Sequence, residues 1–182
     1  MFERSDETLV KQALKQNKSA WLALVKRYEK AIYNYTLRMV SNEQDAMDLM
    51  QDVFIAVFRN LANFRGDSAF KSWLFKIAHY RCIEFYRKKR PTQSLDEAPE
   101  QEAEEHHACP EHAAQLGQQA KELHVAMQQL PFNQKVVVEL KFFQHCTFDD
   151  IAYQLGISVN TAKSRLYTAL DKLKGLLEVE YV

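Results

Sequence analysis

The sequence predicts an all-α protein made of two small helical domains, an N-terminal helix bundle and a C-terminal helix-turn-helix domain, joined by an acidic flexible linker. Three observations carry that expectation. Glycine and proline number only four each among 182 residues, which suits helices on short connections and not a turn-rich sheet protein. Apolar residues recur at spacings near 3.6 along most of the chain. The stretch PTQSLDEAPEQEAEEHHACPEH interrupts that rhythm with three prolines, an acidic polar run and few large apolar side chains. The resulting boundaries are a first domain over 1–91, a linker over 92–112 and a second domain over 113–182. At 47 % hydrophobic, the chain can bury a core in each.

In the first domain, Leu9, Val10, Ala13 and Leu14 open a short apolar stripe, which Trp21, Leu24, Val25, Tyr28, Ile32 and Tyr35 continue at helical spacing. Ser41 or Asn42 can cap a further helix, whose apolar face is Ala46, Met50, Val53, Phe54, Val57, Phe58 and Leu61. Asn63 to Ser68 reads as a turn, with Gly66 at the awkward backbone position and Asp67 or Ser68 as the next cap. The helix after that turn runs from about Ala69 to Lys89 and stops before Pro91. Helices of these lengths pack into one bundle.

The second domain places Leu123, Ala126, Met127 and Leu130 on one helix and Val136, Val137, Leu140 and Phe143 on another, with Pro131 between them. Phe148 to Leu155, a turn at Gly156 and a helix from Val159 to about Leu176 then describe a helix-turn-helix. Thr147 or Phe148 with Asp150 opens its first helix, and the Ser158 hydroxyl caps its second. Ile151, Ala152, Leu155, Ile157, Ala162 and Leu166 supply the small core between them.

Formal neutrality, 24 basic against 24 acidic residues, is an average over unlike segments. Residues 1–90 carry +7, residues 91–120 carry −7, and the remainder is balanced but keeps Lys163, Arg165, Lys172 and Lys174 close together near its end. Each domain therefore has a basic patch able to concentrate a polyanion. No run of 18 apolar residues and no basic-then-apolar leader occurs, so a cytoplasmic protein is expected. Cys82, Cys109 and Cys146 match no thiolate metal framework and are expected as reduced thiols. His106, His107, Cys109 and His112 cluster in the linker without the spacing of a structural zinc site, so neither a metal nor a cofactor is expected. Nothing resembles a Walker loop, a GxSxG elbow or an HExxH helix, so no enzyme is expected either.

Three surfaces are candidates for binding. Along SVNTAKSRLYTAL, Val159, Ala162, Leu166 and Leu170 face inward and leave Asn160, Thr161, Lys163, Ser164 and Arg165 outside. Asn and Arg can bond base edges in a major groove, while Lys163, Ser164 and the capped helix start suit phosphates; a plain helical corner is the alternative. The helix from Ala69 interleaves Lys71, Lys76, Arg81, Arg87 and Lys88 with Phe70, Trp73, Phe75, Tyr80, Phe85 and Tyr86. Cations beside exposed rings suit a single strand, although many of these rings must be core. Within DAMDLMQDVF, Asp45, Asp48 and Asp52 line one polar edge, either as a solvated face or as a docking row for a partner's helices.

Taken together, these stretches resemble the bacterial RNA polymerase sigma factors of the extracytoplasmic-function group. YEKAIYNYTLRMVSNEQDAMDLMQDVFIAVFRNLANFRGDSAFKSWLFKIAHYRCIEFYRKKR is similar to their first conserved domain, and LPFNQKVVVELKFFQHCTFDDIAYQLGISVNTAKSRLYTALDKLK to their last. The resemblance implies that DAMDLMQDVF, with Asp45, Asp48, Gln51 and Asp52, binds the coiled-coil helices of the largest core RNA polymerase subunit. It implies that Phe64 to Arg90 recognises and helps melt the −10 element of promoter DNA, using Phe64, Arg65, Lys71, Lys76, Tyr80, Arg81, Glu84, Arg87 and Lys88. The helix capped by Ser158 would read the −35 duplex with Asn160, Thr161, Lys163, Ser164 and Arg165. The linker would thread toward the polymerase channels, and an anti-sigma protein would hold the factor inactive. Relatives usually carry Asn at the place of Tyr80 and Asp at the place of Glu84, which bears on the −10 sequence preferred. The competing reading is a two-domain helix-turn-helix regulator that acts without polymerase.

Overall fold

The computed structural model describes residues 4–40, 42–89 and 118–178, and all regular structure within them is helical. The expected linker over 92–112, with His106, His107, Cys109 and His112, lies outside the described residues.

Helices α1 (Asp6–Leu14), α2 (Lys18–Val40), α3 (Glu43–Asn60) and α4 (Phe70–Lys89) form the first half. Ser5 accepts the Thr8 N–H at the start of α1, and Asn42 accepts the Asp45 N–H at 2.9 Å at the start of α3, each satisfying one of the donors that a first turn leaves open. Leu24, Ile32, Tyr35 and Met39 from α2 meet Leu49, Val53 and Val57 from α3 and Leu74, Phe75 and Cys82 from α4, all buried. The Thr36 hydroxyl, fully buried, donates to the Ala46 carbonyl at 3.0 Å and joins α2 to α3 where small residues let them approach. Arg27 pairs with Asp6 at 2.5 Å, tying α1 to α2.

Two expected core residues are outside. Leu14 ends α1 with 45 % of its surface exposed, and Phe58 is 60 % exposed, resting edge-on against Trp21 at 5.2 Å. Helical phase explains Phe58: at 100° per residue, Leu49, Val53, Ala56 and Val57 fill the inward arc and carry the next residue out of it.

The second half contains α5 (Gln118–Gln128), α6 (Phe132–Val138), a π turn (Glu139–Phe143), α7 (Phe148–Leu155) and α8 (Val159–Glu178). Pro131 stands at the head of α6, where a missing N–H costs no helical hydrogen bond. The widened turn shifts the helical phase within it, so Leu140 stays buried while Phe143, expected in the core, is 39 % exposed. Thr147 and Asp150 form a reciprocal capping box at α7. Gly156 ends α7 with φ +66°, and the Ser158 hydroxyl accepts the Thr161 N–H at 3.0 Å to start α8. Ile151, Ala162, Leu166, Ala169 and Leu173 bury the helix-turn-helix against Val136, Val137 and Leu140.

The two halves touch. α5 and α6 lie against α2, and α7 lies against α4, so that the buried residues form one continuous apolar cluster.

A matched pair of glycine substitutions tests the local account. Neither site has an atom within 4 Å of an added Cβ, but Gly156 is left-handed and Gly175 lies within α8. Gly156→Ala should cost about 1 kcal/mol and Gly175→Ala should stabilise by up to about 1 kcal/mol, measured by urea unfolding. The same sign for both would contradict it.

Candidate nucleic-acid and partner interfaces

Helix α8 presents Ser158, Asn160, Thr161, Lys163 and Ser164 to solvent at its first two turns, while Ala162 and Leu166 hold the helix down. Lys163 reaches back over the Phe148 ring at 5.6 Å, so its stem is braced while the residue remains exposed. Arg165 differs from the rest: it is half-buried and lies close enough to His79 of α4 for its charge to act on that imidazole.

Helix α4 sorts its rings by depth. Phe70 and Phe75 are buried, and Phe64, Trp73 and Phe70 pack together with centroids 5.2–5.9 Å apart. Phe85 and Tyr86 are half-buried, and Tyr86 donates its hydroxyl to the Met39 carbonyl. Tyr80 alone among the α4 rings is mostly exposed, at 57 %. It is thus the ring in α4 best placed to stack on a base, and Phe75, which sequence grouped with it, is removed from candidacy by burial.

The cations of α4 divide in the same way. Lys76, Arg87 and Lys88 are exposed, as is Arg65 in the preceding turn. Arg81 pairs with Glu84 one turn on at 2.6 Å, which orients the guanidinium and offsets part of its charge. Lys71 donates to the Gln144 carbonyl of the second half at 2.9 Å, and Lys76 sits over the Tyr153 ring of α7 at 4.6 Å.

On α3, Asp48, Gln51 and Asp52 are exposed on successive turns, and Met47 is 40 % exposed beside them. Asp45, the first member of the row, is drawn aside by Lys89 of α4 at 2.7 Å. That contact closes the end of α4 onto α3, and leaves Asp48, which accepts from Gln44 at 3.2 Å, and Asp52 as the row's exposed carboxylates.

Between the halves lies a polar cluster that sequence reasoning missed. Glu139 has no exposed surface and takes both arms of Arg38, Nε to one oxygen and Nη2 to the other at 2.7 Å. Gln144 adds a donor to Glu139 at 3.1 Å, Gln128 donates to the Arg38 carbonyl at 3.2 Å, and the Arg38 guanidinium covers the Phe143 ring at 4.3 Å. Phe132 fits between His79, stacked at 5.8 Å, and Tyr86, edge-on at 5.0 Å. The available signal was a glutamate inside the apolar run VVVELKFF, where burial demands a partner.

Burial first, and then the Arg165 charge, holds His79 down at about 4, so its imidazole is neutral near pH 7, with Nδ1 unpartnered. Burial likewise lowers Lys135 to about 8; its ammonium donates to Gln128 at 2.8 Å. Asp150 is lowered by its hydrogen bonds from Thr147, as a capping box requires. Among the described residues no His, Cys, Asp and Glu group could hold a metal, and no helix is long and apolar enough to cross a membrane.

The His79 shift fixes a pH dependence. Because the folded imidazole binds its proton less readily than the unfolded one, its contribution is complete above pH 6.5 and is lost as pH falls toward 4. Between pH 7.5 and 4.5 the wild type should lose roughly 2–3 kcal/mol more than His79→Leu, by urea unfolding at each pH. Equal losses would contradict the assignment.

Comparison with known proteins identifies the family. Residues 24–92 match the family model for sigma-70 region 2, and residues 120–173 match that for sigma-70 region 4. The RNA polymerase sigma-H factor of Pseudomonas aeruginosa is 32 % identical over 186 residues, covering 98 % of this chain and 96 % of that protein. The ECF RNA polymerase sigma-E factor of Escherichia coli is 27 % identical, with 93 % and 92 % covered. The fold is similar to that of CnrH, solved in complex with the cytosolic domain of CnrY, at a TM-score of 0.74 and 23 % identity over 97 % of this chain and 99 % of that one. It is also similar to the sigma factor RpoE solved with the anti-sigma factor NepR from Bartonella quintana, at a TM-score of 0.68 and 21 % identity over 85 % and 94 %. The chain belongs to the sigma-70 family, in its extracytoplasmic-function group, and is a non-catalytic subunit that binds core RNA polymerase and directs promoter recognition and transcription initiation.

Proposed function

We propose that the three surfaces divide that work: α3 docks on core polymerase, α4 receives the melted −10 strand, and α8 reads the −35 duplex. The observation that carries this is the sorting of α4. Its other rings are buried or half-buried, while Tyr80 stands exposed on a helix that also offers Lys76, Arg87 and Lys88. A helix held this firmly by one face can hold an unpaired base at the other without itself reorganising, with cations along the backbone and a ring under the base.

Promoter opening is then driven by binding energy, with no covalent step. Lost pairing and stacking at the −10 element are offset by capture of the freed strand, and polymerase sets the distance between the modules. In α8, Asn160 and Arg165 suit base edges, whereas Lys163, Ser164 and the start of the helix suit phosphates. Glu84 belongs to the −10 surface through its pairing with Arg81, which fixes where that guanidinium points. On α3, Asp48, Gln51 and Asp52 offer carboxylates and an amide to a partner's basic or polar helices, with Asp45 at the edge of the row. The protein acts in the cytoplasm, and an anti-sigma protein is its expected regulator, by likeness to the RpoE–NepR complex.

Reconstituted holoenzyme on a promoter library tests the division. Tyr80→Ala should weaken open-complex formation by roughly 1–3 kcal/mol while leaving −35 duplex binding intact. Arg165→Ala should cost about 1–3 kcal/mol and relax the sequence preferred at −35, whereas Lys163→Ala should weaken binding to all sequences and lower the salt dependence by about one unit. Asp48→Ala should reduce affinity for core polymerase with an unchanged unfolding midpoint. If Tyr80→Ala leaves opening untouched while the protein stays folded, the −10 assignment is wrong.

A further inference from the structure

We propose that Phe148 is a positioning residue for promoter DNA, whose ring holds the ammonium groups of Lys141 and Lys163 as a pair that grips the duplex phosphate backbone beside the α8 surface. Lys141 thereby becomes a DNA contact contributed from outside the recognition helix. The proposal rests on the assignment of α8 to the −35 duplex and adds to it. Lys141 belongs to the π turn, Phe148 opens α7, and Lys163 lies in the second turn of α8. The Lys141 Nζ is 4.8 Å from the Phe148 ring centroid, and the Lys163 Nζ is 5.6 Å from the same centroid. Three separate elements therefore converge on one half-buried ring, with Lys163 exposed and Lys141 half-buried beside it.

A solitary surface lysine loses much of its contact energy in ordering a long stem. Here that ordering is already done. Each ring contact favours the held position by a factor of about two to five, and Lys141 is held a second time by donating to the Cys146 carbonyl at 3.2 Å. Two ammonium groups gathered at one ring repel each other in the free chain, and a phosphate beside them relieves that repulsion. Lys71 of α4 adds a third cation to the same segment through the Gln144 carbonyl at 2.9 Å. The acids that oppose them are Asp149, which is exposed, and Asp150, whose carboxylate accepts the Thr147 N–H at 2.9 Å and its hydroxyl at 2.6 Å. Three cations against two acids, one of them committed to a cap, leave the segment positive. Phosphates carry no base information, so this pair fixes where α8 sits on the duplex and leaves the choice of bases to Asn160 and Arg165.

The test measures promoter affinity of reconstituted holoenzyme against salt concentration. It uses a fragment selected by wild-type holoenzyme and the same fragment with one −35 base pair changed. Lys141→Met keeps the stem and removes the charge; it should weaken binding to both fragments roughly five- to tenfold at 0.1 M salt and lower the salt slope by about one. Phe148→Leu should also weaken binding to both, Phe148→Tyr should keep wild-type affinity, and Lys141→Met should cost no more than about twofold further in the Phe148→Leu background. An unchanged salt slope in Lys141→Met would overturn the contact, and full additivity with Phe148→Leu would overturn positioning by the ring. Should Lys141→Met lose its helical circular dichroism, the two Phe148 variants decide alone: a loss in leucine that tyrosine does not share supports the proposal, and equal affinities overturn it. Should Arg165→Ala leave the preference between the two fragments unchanged, the −35 assignment of α8 fails instead.

Discussion

A carboxylate with no exposed surface is the constraint on which the arrangement of this molecule depends. Glu139 interrupts an apolar run and would be costly to bury alone; Arg38, 101 residues earlier, supplies two charge-assisted hydrogen bonds and Gln144 a third, which make burial tolerable. Removing one partner of such a pair typically costs about 3–5 kcal/mol, whereas the intact pair adds little over a well-packed apolar contact. The interaction therefore specifies which surfaces meet more than it strengthens their meeting. Gln128, Gln144 and Phe143 fall into place around it, and Phe132 settles between His79 and Tyr86 beside it.

This kind of contact suits two small helical domains that meet over a limited surface. Each domain is small and holds its own buried residues, so each can keep its fold while the surface between them is exchanged for water or for a large partner. An interface made only of aliphatic side chains would hold more tightly and expose an adhesive patch on opening. One centred on an ion pair, a glutamine and a neutral histidine leaves groups that water can solvate. The cost falls on His79 and Lys135, whose affinity for a proton is lowered by burial.

Much of the fold was legible because helices announce themselves locally. The capping side chains at Asn42, Thr147 and Ser158, the left-handed Gly156 and the stop at Pro131 each act within four residues of their own position. The same locality explains the errors. Phe58 and Phe143 look like core by spacing, but the first lies just past the inward arc of α3 and the second ends a π turn, whose extra residue no periodicity reveals. Which α4 ring faces solvent was ambiguous for a related reason: apolar side chains surround that helix, and only the neighbours packed against it pick out Tyr80. The Arg38–Glu139 pair was hidden because it joins residues far apart in the chain, and a lone buried glutamate says that a partner exists without saying which. The charge segregation, by contrast, was plain: neutrality overall hides a strongly basic first domain.

The central claim is that the Arg38–Glu139 pair sets how the two halves meet, and an intramolecular distance tests it most directly. Fluorophores on Leu22→Cys of α2 and Lys172→Cys of α8, both exposed sites away from the contact between the domains, in a Cys109→Ser background, report that distance by energy transfer. The account predicts a single short distance in the wild-type chain and a longer or broadly distributed one in Arg38→Gln. The same distance in the two chains would contradict it.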